Sequence, residues 1–371
     1  MIECDFVVGK DMNSRERVLR AINHKQPDRP PIFATLTPQV ADKLAEALNI
    51  PKEPAFDSLL APRMSHNGLL TMLGNDCVGI AACYPKNFPS KTEADGTIVN
   101  EWGMRLKPFG LYNELAAFPL SRVNSVKELD NHEFPDPFAE GRFDAAKELM
   151  RKYSKDYAIV ANLECLFFEI AWYLVGLEKF LMDVLMEEEY TFALLDRILE
   201  INTKVGIQLI EMGADVIWAG DDFGTQKGML MSPELWRKVF KPRIKKTIAE
   251  FKKVNPDIKV AWHSCGSIVP IIGDFVEIGL DILNPIQPLA AGMDPKFLKE
   301  TYGNSLTFFG GIDIQELLPR AKPGEVKKEV KRIANILGNG GGYIVAPAHH
   351  IQDDTPLENI FALFEAVKEL G

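Results

Sequence analysis

The chain has 371 residues, 46% of them hydrophobic and 25% charged, and carries a formal net charge of −10. An acidic chain of this kind lacks the basic face that nucleic-acid binding needs, and it has ample apolar material for a large core. The five cysteines (Cys4, Cys77, Cys83, Cys165 and Cys265) are odd in number and widely scattered, so they form no disulfide framework and point to a reducing, cytoplasmic setting. No signal peptide and no membrane-spanning run is expected.

The first element, NSRERVLRAINHKQ, predicts a helix capped by Asn13 or Ser14, with Glu16 three residues after Asn13 in capping-box spacing. Pro27, Pro30 and Pro31 end it. Short apolar runs then alternate with amphipathic helix patterns. The runs are IFATL (32–36), CVGIA (77–81), AIVAN (158–162), DVIWAG (215–220), KVAWH (259–263), DILNP (281–285), LTFFG (306–310) and GYIVA (342–346). Apolar runs without alternation fit strands buried on both faces. Eight of them alternating with helices predict an α/β fold, a (β/α)8 TIM barrel. Residues 82–140 interrupt the pattern after the second strand. There 92–107 reads as a hairpin turning near Asp95-Gly96, and a Pro-rich, loop-like stretch follows. The expectation is one domain over 1–371, with an N-terminal helix and with 82–140 as an insertion capping one mouth. The basic stretch KPRIKKTIAEFKK (241–253) has helical spacing and reads as a solvated helix face.

Active sites of such barrels lie at the C-terminal ends of the strands. Residues falling there are Asn162, Glu164 and Cys165, then Asp221, Asp222 and Gln226, then His263 and Cys265, then Asn284 and Gln287, then Asp313, and finally His349 and His350. Asp76 precedes its strand and so sits at the wrong end. His263 and Cys265, two apart on an extended segment, point to the same side. Imidazole and thiolate are zinc ligands, and a catalytic zinc site takes three of them from the protein; His349 or His350 would supply the third. Glu164 and Cys165 are further candidates for a fourth. His24, His66 and His132 fall in helix or loop contexts and are expected at the surface. Of the adjacent pair Asp221-Asp222, only one is expected to face the cavity. Asp222 is the candidate proton-handling group, and Asn162, Asp221, Gln226, Gln287 and His350 are the candidate substrate-binding residues. Trp102 is expected to pack within the hairpin or wall the mouth. Gly340-Gly341-Gly342 precedes a strand instead of opening a helix and does not match a phosphate loop.

The opening SRERVLRAINHKQPDRPPI resembles the uroporphyrinogen decarboxylase superfamily. So do NEWGMRLK (100–107), ADVIWAGDDFGTQKGMLMSPELWRKVFKPRIKK (214–246), HSCGSIVPIIGDFVEIGLDILNPIQ (263–287), LTFFGGID (306–313) and the stretch from Gly342 to Val367. The resemblance implies a (β/α)8 barrel with its cleft at the strand C-termini. Uroporphyrinogen decarboxylases carry an Arg-Gln-Ala-Gly-Arg segment after the first strand for the substrate's carboxylates. This chain has ATLTPQVADK there, with no arginine, and uroporphyrinogen is not the expected substrate. The resemblance is closer to the corrinoid-dependent methyltransferase and O-demethylase branch, whose zinc motif is His-x-Cys and a later Cys ahead of a Pro-x-x-Thr-Pro-like stretch. His263 and Cys265 match the first two positions, and His349, seven residues before Pro356, stands in place of the third. The function so implied is zinc-dependent methyl transfer to or from a small thiol, methyl ether or similar substrate, with a corrinoid carried by a partner protein and a homodimer as the assembly. The alternative is a metal-independent decarboxylase or lyase of a small carboxylate, in which Asp222 handles the proton and His349 helps to bind substrate.

Overall fold

The computed structural model describes residues 12–55, 65–89, 91–109 and 112–371. Its strands, in chain order, are β1 (Cys77–Ala81), β2 (Lys91–Thr92), β3 (Ile98–Val99), β4 (Arg105–Phe109), β5 (Tyr112–Ala117) and β6 (Ala158–Cys165). They continue with β7 (Val216–Gly220), β8 (Lys259–His263), β9 (Ile282–Ile286), β10 (Thr307–Ile312) and β11 (Tyr343–Pro347). Seven of them form one curled parallel sheet in the order β1-β6-β7-β8-β9-β10-β11, with helices in the connections, as right-handed βαβ crossovers require.

The run 32–36, expected as a strand, is extended but makes only isolated parallel bridges, Ile32 to Val345 and Leu36 to Ile351. Pro30 and Pro31 carry no amide hydrogens. On the β1 side its partners are largely side chains. Asn75 Oδ1 accepts from Ala34 N and its Nδ2 donates to Ala34 O, both at 2.9 Å, while Asp76 Oδ2 accepts from Ile32 N. The segment thereby joins the two edges of the curled sheet.

Side-chain parity sorts the strands into two environments. Even-numbered or odd-numbered positions such as Val160, Trp218, Ala261, Ile282, Phe309 and Ile344 gather with Phe33 in the interior cluster, while their neighbours pack outward against the helices. The helix Ser14–Ile22, capped by Asn13 with Glu16 bonding back to the cap, sends Val18 and Ile22 into that interior cluster.

The insertion builds a separate four-stranded antiparallel sheet in the order β2-β3-β4-β5. At Asp95-Gly96 the chain reverses with Gly96 at φ +85°, and Thr97 N donates to Asp95 Oδ1. Strand β5 was not expected, because YNELAA contains no β-branched residue. A buried bidentate pair, Arg142 with Glu101, ties the β3–β4 turn to the 136–142 segment, and Arg142 also donates to the carbonyls of Asp136 and Cys83. No helix among the described residues is long and apolar enough to cross a membrane.

Candidate metal centre

Strand register sets the centre. In the β8–β9 pairing Ala261 faces Ile282 and His263 faces Asn284. Ala261 and Ile282 are interior residues, so His263 and Asn284, two positions on, point into the same cavity. Cys265 follows on the same side. The last strand, β11, runs into Ala348 and His349, and the loop returns His349 toward β8. The ligand atoms of His263, Cys265 and His349 all lie within 4.8 Å of one another. His263 Nε2 is 3.3 Å from Cys265 Sγ, and the His263 and His349 ring centres are 6.1 Å apart. The three residues expected to converge are thus together.

Glycine permits this approach at two places. Gly220, paired with His263, has no room for a side chain, since a Cβ would lie 2.3 Å from the His263 carbonyl oxygen. Gly266 has φ +79°, and a Cβ there would meet Thr225 O at 2.6 Å. Its N–H donates to Gln287 Oε1 at 2.7 Å, which makes Gln287 a support of the Cys265 turn as well as part of the cavity wall.

The two aspartates separate as strand alternation requires. Asp222 is partly exposed at the edge of the cluster. Its Oδ1 accepts from Cys265 N at 2.7 Å and lies 3.6 Å from His263 Nε2. Asp221, expected among the substrate-binding residues, is fully buried and faces away from the cavity. Its carboxylate accepts from Phe167 N and Glu169 N at the start of the helix Phe168–Val175. Burial, and then the neighbouring Glu169 carboxylate, push Asp221 up from the usual carboxylate range, against the pull of the backbone amides. Glu169 in turn accepts from Asp222 N and from the Tyr173 hydroxyl. Asp221→Ala is expected to lower stability by about 2–4 kcal/mol, because two buried amides lose their acceptor at a helix start; urea denaturation of the two proteins measures it.

The remaining candidates fall around the cluster. His350 is buried, with its ring 4.9 Å from that of His349. Gln226 is exposed on the rim, and its carbonyl accepts from Ala291 N. Two adjoining cavities of about 320 Å³ and about 640 Å³ share Ala348 and His349; the first takes in Phe33, Trp218, His263 and His350, the second Gln226, Gln287 and Asp313. Asn162 lines a different cavity of about 560 Å³, with Trp102, Glu101 and Arg142. Trp102 is buried and edges Phe134. Cys165 is buried in the outward-facing cluster, and its carbonyl oxygen accepts from Asn202 Nδ2 at 3.5 Å. It is not a member of the metal cluster; the Glu164 side chain lies outside the described residues. His66, expected at the surface, is buried at 3% exposure with φ +62°, because it starts the helix Asn67–Leu73 packed under β1. Sequence reading named Asn284 only as a strand-end residue and did not single out Trp218 or Glu169, although interior parity with Val216 and Ile282 marks Trp218 and Asn284.

The family model for uroporphyrinogen decarboxylase (URO-D) matches residues 114–370. The methylcobamide:CoM methyltransferase MtaA of Methanosarcina barkeri is 29% identical over 180 residues, which span 47% of this chain and 49% of that protein. The methylated-thiol–coenzyme M methyltransferase of Methanosarcina mazei is 24% identical over 229 residues, 61% of this chain and 57% of that protein. The chain therefore matches about half the length of these curated relatives. A solved methyltransferase structure from Methanosarcina mazei superposes with a TM-score of 0.66 at 23% identity, over 96% of this chain and 99% of the other, which establishes the shared fold. With more than half of its length under that family model, this chain belongs to the uroporphyrinogen decarboxylase (URO-D) family.

Proposed function

We propose that this chain is a zinc-dependent methyltransferase that works with a corrinoid protein and moves a methyl group to or from a small thiol, methyl ether or similar substrate. The unit is the whole chain, 1–371, as one (β/α)8 domain with 32–36 as its eighth stave. The observation that carries the reading is the meeting of His263, Cys265 and His349 at the strand C-termini, in a chain of a family whose curated relatives here are methyltransferases.

The donor set fits zinc. Two imidazoles and one thiol from three strand-end positions satisfy its preference for nitrogen and sulfur and leave a position for substrate. Zinc held there lowers the pKa of a bound thiol, or draws electrons from an ether oxygen. The chain's own groups do the rest. Asp222, whose carboxylate borders the cluster, receives the proton that a thiol gives up. Phe33, Trp218 and Phe309 pack ring against ring beneath the cluster and keep water from entering on that side. Gln226, Gln287 and His350 line the adjoining space and orient the substrate, and Asn162 serves the neighbouring cavity. Among the described lining residues there is no lysine or arginine, and Asp313 and the bordering Asp222 are acidic, which supports an uncharged thiol such as 2-mercaptoethanol over an anionic one such as 2-mercaptoethanesulfonate.

The test uses zinc-loaded protein, free methylcobalamin and a panel holding both thiols. The expected result is thiol-dependent loss of the methylcobalamin spectrum, faster with the uncharged thiol and abolished by chelation. No methyl movement in either direction, with thiols as acceptors or methyl ethers as donors, would overturn the reading. Carbon dioxide release that survives chelation would replace it with a decarboxylase.

A further inference from the structure

The metal-facing nitrogen of His263 is set by a residue on a different strand, 45 positions earlier in the chain. Asn284 is buried at 3% exposure, and its amide has three neighbours. Trp218 Nε1 donates to Oδ1 at 3.0 Å, Nδ2 donates to the Phe309 carbonyl at 3.2 Å, and His263 Nδ1 lies 2.6 Å from Oδ1. An indole N–H can only donate, and a carbonyl oxygen can only accept. The amide therefore has one orientation that satisfies both ends, with its oxygen toward Trp218 and its nitrogen toward Phe309. That oxygen is also the atom facing His263 Nδ1. Since it cannot donate, Nδ1 must carry the hydrogen. The lone pair of the neutral imidazole is then on Nε2, the atom 3.3 Å from Cys265 Sγ.

The donor at the far end is itself held in place. Trp218 stacks at a tilt on Phe309 with ring centres 5.4 Å apart, meets Phe33 at 6.1 Å, and lies 5.8 Å from the His263 ring. Its pairing partner on β8 is Ala261, two residues before His263. A small residue there leaves the indole space beneath the imidazole.

We propose that Trp218 is a positioning residue for the metal centre: through Asn284 it locks His263 in the Nδ1–H tautomer and so presents Nε2 as the ligand atom. The lock belongs to the protein before any metal arrives. Its role in metal capture rests on the zinc reading above, whereas the tautomer itself does not, so the two can fail separately.

The experiment is long-range ¹H–¹⁵N correlation on metal-free protein with ¹⁵N-labelled histidine, about two pH units above the ordinary imidazole pKa of ~6.5. Wild-type His263 is expected as the pure Nδ1–H form. Trp218→Phe keeps the ring packing and removes the N–H. One of the two constraints on the amide is then gone, and His263 should show both tautomers, with zinc affinity by chelator competition falling about ten-fold. Adding Asn284→Asp to Trp218→Phe supplies an oxygen to His263 with no amide to invert, and the pure Nδ1–H spectrum should return. A role confined to packing would give neither the mixture nor the rescue. An Nε2–H signal for His263 in the wild type overturns the proposal whether or not the variants fold, as does an unchanged His263 spectrum in a folded Trp218→Phe protein. If the tautomer behaves as stated and zinc does not bind, the lock stands and the metal reading falls.

Discussion

Cys265→Ala is expected to weaken zinc binding by more than ~100-fold, beyond the 10–100-fold typical of losing an outer partner of a ligand, and to leave the fold intact. The thiolate is the one anionic donor of the three clustered groups, so its loss removes charge neutralisation as well as a bond. The backbone survives because the contact that shapes this turn is made by Cys265 N to Asp222 Oδ1, and by Gly266 N to Gln287 Oε1. Neither uses the sulfur. His349→Ala is expected to weaken binding comparably, and His263→Ala to do so while also leaving the Asn284 oxygen one donor short inside the barrel. Metal content by inductively coupled plasma mass spectrometry, with chelator competition and circular dichroism, reads all three. Near one zinc per wild-type chain, lost in each variant, is the expected pattern. A wild-type protein that takes up no zinc on reconstitution would remove the metal from the reading.

The largest expected loss of stability lies at the opposite end of the barrel. The Asp76 side chain is fully buried and bonds to Arg17 Nη1 at 2.7 Å, to Arg29 at 2.8 and 3.1 Å, to the Ser14 hydroxyl at 2.8 Å and to Ile32 N at 2.9 Å. One carboxylate thus joins the N-terminal helix, the Pro-rich turn and the segment that closes the sheet. Asp76→Ala takes the anion from the largely buried Arg29 guanidinium and leaves Arg17 with Asp28 alone. Removing one partner of a buried ion pair costs about 3–5 kcal/mol, and the lost Ile32 contact adds to it. Denaturant titration measures the difference, and Asp76→Asn, which retains an acceptor, should lose less. A change under about 1 kcal/mol, the range of an exposed pair, would show that the network is relaxed in solution.

How much of this was legible in the sequence differs by element. Strands β1 and β8 fall where the apolar runs CVGIA and KVAWH place them, because burial on both faces selects short runs that stop at a polar strand end. His263, Cys265 and His349 were legible from strand-end position. The Asp221 and Asp222 division followed from alternation, although which of them turns inward needed the structure. The pairing of Asn284 with His263 depends on the β8–β9 register, which no local pattern encodes. The 32–36 segment reads as a strand because its residues are apolar, yet on the β1 side it is held largely by the side chains of Asn75 and Asp76, and sequence periodicity is blind to a side chain acting as a ladder rung. Residues 56–64, between the helices Pro38–Ala47 and Asn67–Leu73, lie outside the described structure.

The interior cluster has a consequence for access. Val18 and Ile22 of the first helix stopper one end of the barrel, and Phe33, Trp218 and Phe309 fill the layer above them. The cavity beside His263 is therefore a cul-de-sac. Among the described residues, the cluster is therefore reached from the side of the strand C-termini, where the cavity that holds Gln226, Gln287 and Asp313 adjoins it.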